Sequence, residues 1–207
     1  MIGIVDYNAG NITSVERALN SLGIEFILSK KPQDLANCDK LIFPGVGDAA
    51  YAMEQLKLTG FDNFLKEWAA AGKPILGICL GSQIIFDWSE EGDTQCLGLV
   101  KGKIKHFFNI DNSLKQKGIK VPHMGWNNLE RKVSDCSILK NVPENADFYF
   151  VHSYVICPDD SKVVAATADY GINVPAVIQS GNIYACQFHP EKSGKPGLKI
   201  LENFCNA

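Results

Sequence analysis

Residues 73–83 have the sequence Lys73-Pro74-Ile75-Leu76-Gly77-Ile78-Cys79-Leu80-Gly81-Ser82-Gln83. The apolar run before Cys79 predicts a buried strand and the residues after it predict a helix, so this cysteine lies at a sharp corner between the two. Gly77 and Gly81 lack the Cβ atoms that would clash where neighbouring chain passes close to the corner. The pattern is typical of a nucleophile on a strained turn, and by itself it fits a buried structural cysteine equally well.

A histidine and a carboxylate lie far downstream, in Gln187-Phe188-His189-Pro190-Glu191. An imidazole can act as general base toward a thiol, and a carboxylate can orient that imidazole through its other ring nitrogen. Pro190 stiffens the segment between them. The coincidence favours a triad of Cys79, His189 and Glu191, and therefore an enzyme, over a core histidine and a structural cysteine.

Strands alternate with helices in the first half of the chain. We predict strands at residues 2–5, 24–28, 41–43 and 75–78, and helices that begin near residues 12, 48 and 61. Thr13 and Glu16 have the spacing of a capping box at the first helix. The alternation predicts an α/β fold with a mostly parallel central sheet and helices on both faces. In such sheets the active site forms beyond the carboxyl ends of the strands.

From about Gly98 the pattern changes to strands without long helices. Residues 99–107, 148–156, 162–168 and 174–188 predict strands, the last broken by a tight turn at 180–181, which indicates an additional, largely antiparallel region in the C-terminal half. Residues 109–120 are polar and predict a solvated loop, and residues 197–204 predict a closing helix. Because no linker or repeat divides the sequence, we expect one domain over residues 1–207.

The composition argues against several classes of function. The chain is 46% hydrophobic and 21% charged, and its formal net charge of −3 gives no basic excess for nucleic acid. No apolar run approaches the length of a transmembrane helix, and the N-terminus lacks signal-peptide features. Seven scattered cysteines without a Cys-x-x-Cys pair argue against a disulfide framework and a zinc site. We expect a cytoplasmic protein with no metal and no membrane association.

The loop Pro44-Gly45-Val46-Gly47 follows a predicted strand. Its glycines allow a backbone N–H to turn toward a developing oxyanion, and the Leu80 N–H, directly after the nucleophile, is the second donor that we expect. Alone, a Pro-Gly-x-Gly sequence more often forms only a turn. Beside the Cys79 corner, Gly45, Val46, Gly47 and Leu80 become candidates for an oxyanion hole.

These motifs resemble those of class I, triad-type glutamine amidotransferases and, more narrowly, the glutaminase subunits of imidazole glycerol phosphate synthase. The resemblance extends over nearly the whole chain. The two motifs that narrow it are Val121-Pro122-His123-Met124-Gly125-Trp126-Asn127 and Phe150-Val151-His152-Ser153-Tyr154. The resemblance implies the class I glutamine amidotransferase fold.

The resemblance also implies the chemistry. Cys79 would attack the side-chain amide of glutamine, with His189 transferring protons and Glu191 orienting it, and no cofactor would be needed. The residues that would contact the polar groups of the substrate are Gln83, Glu91, Ser153 and Tyr154. For Glu91 an exposed charge in a polar loop is the simpler alternative.

A partner follows from the same resemblance. Free ammonia in neutral water is mostly protonated, so a glutaminase is useful when it delivers ammonia to a synthase through a sheltered passage. The family's partner is a (β/α)₈-barrel cyclase, bound as a heterodimer, which makes imidazole glycerol phosphate and aminoimidazole carboxamide ribotide in histidine biosynthesis. Trp126 would lie at that interface, unless it packs under its own loop, and His123 would be either an interface residue or a structural one.

Two departures from the family pattern leave alternatives open. Ser82 stands where a methionine is usual, and residues 173–175 replace a segment that usually contains a phenylalanine. A related glutaminase supplies ammonia in surface-sugar biosynthesis with a cyclase-like partner. A stand-alone γ-glutamyl cysteine hydrolase would share the corner and the triad, but it would have no use for the motif at 121–127. The intact triad disfavours a non-catalytic glutamine-sensing module.

Overall fold

The computed structural model describes residues 1–206. The strands in this part of the chain are β1 (Ile2–Val5), β2 (Phe26–Ser29), β3 (Lys40–Gly45), β4 (Ile75–Cys79), β5 (Trp88–Ser89), β6 (Thr94–Gln95), β7 (Gly102–His106), β8 (His123–Asn128), β9 (Glu130–Arg131), β10 (Asp147–His152), β11 (Tyr154–Pro158), β12 (Val164–Asp169), β13 (Asn173–Ser180) and β14 (Ile183–Cys186). The helices are α1 (Ile12–Ser21), α2 (Pro32–Leu35), α3 (Ala49–Thr59), α4 (Phe61–Ala70), α5 (Leu80–Ile84), α6 (Phe107–Ile110), α7 (Ser113–Gln116) and α8 (Gly194–Asn206).

None of the helices described in residues 1–206 combines the length and the hydropathy that a membrane span requires.

The main sheet has eight strands in the order β2-β1-β3-β4-β14-β13-β12-β9. The first five are parallel, and the last three extend the sheet as antiparallel strands. Successive side chains of β3 enter opposite clusters, since Leu41 and Phe43 pack with α3 and α4 whereas Ile42 packs with α1 and α8. The predicted α/β architecture, with a mostly parallel sheet and helices on both faces, is confirmed.

Two smaller sheets consist mostly of antiparallel pairs, except that β5 and β7 run parallel. Strand β8 pairs with β10, and β11, β7, β5 and β6 form a four-stranded sheet in that order. The single strand predicted at 148–156 is wrong, because the chain breaks at Ser153 and enters two different sheets as β10 and β11. The residues on either side of Ser153 are apolar or aromatic, so their sequence carries no sign of the break.

Local predictions failed at two further places. The segment 109–120 is mostly exposed, as predicted, but it is not simply a loop: it contains the end of α6 and all of α7, and Leu114 is buried against Phe107, Val155 and Val174. The capping box is also absent, because α1 begins at Ile12 and Thr13 lies inside the helix.

The corner at Cys79 is formed where α5 crosses the end of β3. A Cβ atom on Gly81 would lie 2.1 Å from the carbonyl oxygen of Phe43, and one on Gly77 would lie 2.8 Å from that of Gly81. Real Cβ atoms do not approach backbone oxygens so closely, so both positions require glycine. The crowding predicted from residues 77–81 is therefore present in the fold.

We predict that Gly81→Ala lowers the free energy of unfolding by at least the roughly 1–3 kcal/mol typical of overpacking, because the new methyl group meets backbone that cannot move aside. The measurement is chemical denaturation of the purified chain. Gly10→Ala is the matched control, since its Cβ would meet mainly the flexible end of Ile12, at 3.0 Å. Equal stability of the two variants would contradict the packing described at the corner.

Candidate active site

Cys79 ends strand β4 in a strained conformation. Its φ is 54° and its ψ is −110°, a region that residues with a Cβ atom rarely occupy. Strands β3 and β14 hold β4 on both sides, with Gly45 opposite Cys79 in the β3 ladder. The Ser82 hydroxyl donates a hydrogen bond to the Cys79 carbonyl at 2.5 Å, so the serine that replaces the usual methionine is satisfied behind the corner.

His189 and Glu191 form a buried pair beside this cysteine. The Nδ1 atom of His189 lies 2.7 Å from Oε1 of Glu191, and both side chains are almost fully buried. The backbone N–H of His189 donates to the Tyr149 carbonyl at 2.9 Å, and the Ser193 hydroxyl donates to the His189 carbonyl at 2.6 Å. These bonds fix the imidazole with one nitrogen toward Glu191 and leave the other for Cys79.

The electrostatics of this group favour an imidazolium. Burial alone disfavours the charged ring and is the largest single effect, but the interactions of His189 with the sulfur of Cys79 and with Glu191 outweigh it and raise the pKa of His189 to about 10. A protonated His189 can hold a thiolate at Cys79 and can later donate its proton. The arrangement therefore supports nucleophilic catalysis by a thiolate–imidazolium pair.

Cys79 and His189 line a cavity of about 340 Å³, which is at the lower end of the usual range for small-molecule sites. The predicted site residues that line it are Val46, Gly47, Cys79, Leu80, Gln83, Glu91, Ser153, Tyr154 and His189. Three lining residues were missed by sequence reasoning: Pro122, Val151 and His152. Pro122 belongs to the motif at 121–127, and Val151 and His152 belong to the motif at 150–154. These motifs had narrowed the family resemblance, but a place in the cavity was not predicted for any of the three residues.

The predicted oxyanion loop is only partly arranged for that role. Gly45 does not line the cavity and lies packed against the backbone of Gly81 and the hydroxyl of Tyr7. The Val46 N–H donates to the Ala9 carbonyl at 3.0 Å, so in this conformation it is engaged outside the cavity. The sequence predicted that a backbone N–H of this loop can turn toward a developing oxyanion; the Val46 N–H does not do so in this conformation, because the Ala9 carbonyl accepts it.

Two of the predicted substrate contacts are held in place by hydrogen bonds. Gln83 donates through Nε2 to the Tyr154 carbonyl at 3.1 Å and to Oε1 of Gln187 at 2.9 Å. The Glu91 carboxylate accepts from the Ala49 N–H at 2.9 Å. Burial raises the pKa of Glu91, and the Ala49 N–H opposes that shift. Glu91 is thus a half-buried cavity residue and not a solvated loop charge.

The two predicted interface residues differ in exposure. Trp126 on β8 is 59% exposed and its neighbour Met124 is 61% exposed, so Trp126 does not pack under its own loop. His123 is buried, stacked between the rings of Phe150 and Tyr170. Of the two roles left open for His123, its burial favours the structural one, because aromatic rings from two other segments enclose it.

His123 belongs to a chain of hydrogen bonds that reaches the cavity. Its Nδ1 lies 3.1 Å from Nε2 of His152, whose Nδ1 lies 2.7 Å from the Tyr154 carbonyl. The carbonyl requires a proton on Nδ1 of His152, so His123 is the donor to Nε2. Burial lowers the pKa of His123 to about 4 and that of His152 to about 3, which keeps both rings neutral. Within residues 1–206, no three His, Cys, Asp or Glu side chains are arranged to hold a metal ion.

Comparison with known proteins agrees with this geometry. The model of the family "Glutamine amidotransferase class-I" matches residues 3–207. The imidazole glycerol phosphate synthase subunit HisH of Nitratidesulfovibrio vulgaris is 48% identical over 204 residues, which cover 99% of this chain and 95% of that protein. HisH of a Geobacillus species is 47% identical over 207 residues, which cover 100% of this chain and 96% of that protein.

Solved structures support the same fold. The crystal structure of a glutamine amidotransferase matches with a TM-score of 0.75 at 20% identity, covering 100% of this chain and 99% of that one. The family match and the identity to HisH proteins extend over nearly the full length. The chain therefore belongs to the class-I glutamine amidotransferases and, within them, to the family of HisH subunits of imidazole glycerol phosphate synthase.

Proposed function

We propose that this chain is the glutaminase subunit of an imidazole glycerol phosphate synthase, acting in histidine biosynthesis in the cytoplasm. It would hydrolyse glutamine to glutamate and pass the ammonia to a separate (β/α)₈-barrel cyclase in a heterodimer. The observation that carries the proposal is the cavity in which Cys79 and His189 meet, with Glu191 bound behind the histidine. The near full-length identity to HisH proteins supports the choice of pathway.

In the first half of the reaction, the Cys79 sulfur attacks the side-chain amide carbon of glutamine. The thiol proton resides on His189, which then protonates the departing nitrogen as the carbon–nitrogen bond breaks. Ammonia leaves, and the γ-glutamyl group remains on Cys79 as a thioester. Glu191 stabilises the imidazolium during this step through its 2.7 Å contact with Nδ1.

In the second half, neutral His189 removes a proton from water as the water attacks the thioester carbon. The carbon–sulfur bond breaks, glutamate forms, and the proton on His189 restores the starting pair with Cys79. Both halves develop negative charge on the carbonyl oxygen. The Leu80 N–H is one donor for that charge, and the Val46 N–H would be the second once it is released from Ala9.

The cavity walls fit a free amino acid. The Glu91 carboxylate is suited to the α-ammonium of glutamine, because an anion anchored at 2.9 Å by the Ala49 N–H needs no reorganisation when a cation arrives. Gln83, fixed by two hydrogen bonds, together with Ser153 and Tyr154, supplies polar atoms for the remaining groups of glutamine. Specificity for glutamine would follow from these contacts.

The exposed apolar pair on β8 supports docking to a partner. Met124 and Trp126 are large and solvent-exposed, and tryptophan is a common anchor at protein interfaces. In the β8–β10 ladder Trp126 lies opposite Tyr149, and the centroids of their rings are 5.9 Å apart. The Tyr149 carbonyl accepts the backbone N–H of His189. A partner on this surface would therefore contact Trp126. Its neighbour across the ladder, Tyr149, is hydrogen-bonded to His189, the proposed general base.

We also propose that the free subunit is nearly inactive. With the Val46 N–H bonded to Ala9, the oxyanion hole lacks one of its two donors, which limits uncontrolled hydrolysis of glutamine. Docking would favour the conformation in which that N–H faces the cavity. A change in this equilibrium of about 3 kcal/mol corresponds to roughly 100-fold in turnover.

Replacement of the nucleophile tests the mechanism. We expect Cys79→Ser to lower glutamine turnover by several orders of magnitude while the fold is retained, as for other triad nucleophiles. Cys157→Ser, which changes a half-buried thiol outside the cavity, is the control and should keep its activity. A glutamine-analogue chloroketone should label Cys79 alone, as read by peptide mass spectrometry. Activity in Cys79→Ser, or labelling of another cysteine, would refute the assignment.

Glu191→Gln tests orientation of the base. The amide keeps the size of the side chain but removes the charge that stabilises imidazolium, so we expect turnover to fall clearly, though less than in His189→Ala. Glu202→Gln, which alters a carboxylate paired with Lys199 on α8, is the matched control. The measurement is the steady-state glutaminase rate of the wild type and the three variants. Unchanged turnover in Glu191→Gln would show that Glu191 is only a structural carboxylate.

Activation by the partner is tested by measuring glutamine hydrolysis in three states: the free chain, its complex with the cyclase, and that complex with imidazole glycerol phosphate bound. We expect activity to rise by roughly 100-fold or more between the first state and the last. Trp126→Ala should weaken activation, whereas Leu58→Ala, which removes an exposed apolar side chain from α3, should not. Full activity of the free chain, unchanged in the other states, would favour a stand-alone hydrolase.

A further inference from the structure

A buried hydroxyl beneath the oxyanion loop has no hydrogen-bond partner. Tyr7 lies just beyond the end of β1, is fully buried, and packs its ring against Phe43 with a centroid distance of 5.2 Å. Its hydroxyl oxygen makes no hydrogen bond within the described part of the chain. An unpaired buried hydroxyl is unfavourable, and phenylalanine would fill the same space without that penalty.

The unpaired hydroxyl lies directly against Gly45. A Cβ atom added to Gly45 would be 2.7 Å from the Tyr7 oxygen and 2.6 Å from the backbone nitrogen of Gly81, so only glycine fits between them. Burial, with a smaller contribution from a charge on Cys79, raises the pKa of Tyr7 above its ordinary value. Tyr7 therefore keeps its proton near neutral pH and can donate it to an acceptor.

Rotation of one peptide group would supply that acceptor. The N–H of Val46 and the carbonyl of Gly45 belong to the same peptide plane and point in opposite directions. When the N–H turns from Ala9 into the cavity, the Gly45 carbonyl turns toward the side that the N–H has left. The group on that side is the Ala9 carbonyl, which accepts hydrogen bonds and repels another carbonyl oxygen. In the rotated state the Gly45 carbonyl therefore needs a hydrogen-bond donor.

We propose that the Tyr7 hydroxyl is that donor: it hydrogen-bonds the rotated Gly45 carbonyl and so stabilises the conformation in which the Val46 N–H completes the oxyanion hole. The inference rests on the proposed activation of the glutaminase by its partner, and it identifies a residue of this chain that lowers the free-energy cost of the rotation. Tyr7 is thus a positioning residue, which acts on the reaction through the Gly45–Val46 peptide. Its hydroxyl is unpaired in the present conformation because its partner faces the other way.

Tyr7→Phe removes the hydroxyl and keeps the ring. We expect kcat for glutamine to fall about tenfold in the free chain, equivalent to about 1.4 kcal/mol, with little change in KM. In the complex with the cyclase and imidazole glycerol phosphate the loss should be equal or smaller, because docking acts on the same equilibrium. Alkylation of Cys79 by iodoacetamide, which needs no oxyanion hole, should be unchanged, and the thermal midpoint should be equal or higher.

Thr167→Val is the matched control, since the Thr167 hydroxyl is also buried and unpaired but lies on β12 and does not line the cavity. It should leave kcat unchanged. An unchanged kcat in Tyr7→Phe, slower alkylation of Cys79, a lower thermal midpoint, or an equal loss of kcat in Thr167→Val would each overturn the role of Tyr7. If the wild-type chain is equally active alone and in the complex, the proposed switch fails instead, whatever Tyr7→Phe does.

Discussion

The close contact between the end of β3 and the start of α5 is the constraint on which the site depends. Gly81 lies against the Phe43 carbonyl so closely that no side chain fits, and Cys79, two residues earlier, has a positive φ. Residues with a Cβ atom adopt such angles only when the surrounding structure holds them there. Here the hydrogen bonds of β4 to β3 and β14 hold the backbone, and the thiol reaches the cavity as a result.

The second requirement is a buried charge that is neutralised locally. Isolated ions in a protein interior are costly, so a buried imidazolium persists only beside partners of opposite charge. Glu191 provides one partner and Cys79 the other, and their combined effect exceeds the desolvation of His189. The neighbouring His152 is also buried, and burial lowers its pKa; the hydrogen bond to the Tyr154 carbonyl opposes that shift but does not outweigh it, and no carboxylate lies beside the ring as Glu191 does beside His189. Similar burial thus gives the two histidines opposite protonation states.

The loop at 44–47 connects the corner to the regulation that we propose. It begins at the crowded end of β3, where Gly45 is packed between Tyr7 and Gly81, and it extends to Val46 and Gly47 at the cavity. The rotation of the Gly45–Val46 peptide that we propose would give this loop two arrangements, one with the Val46 N–H bonded to Ala9 and one with it in the cavity. A segment with two discrete arrangements is the kind of element that a docked partner can bias.

The sequence by itself determined the corner at Cys79, the alternation that makes the sheet mostly parallel and the choice of His189 and Glu191 as the proposed partners of Cys79, because these depend on local spacing and on the chemistry of side chains. Only the tertiary structure decided what is buried and which hydrogen bonds form. Leu114 lies in a polar segment and His123 is itself polar, yet partners distant in the chain enclose both. The Val46 N–H bonds to Ala9, 37 residues earlier, in a contact that no local pattern encodes. Periodicity reports the environment of neighbouring residues, whereas burial and bond direction depend on segments that meet only when the chain folds.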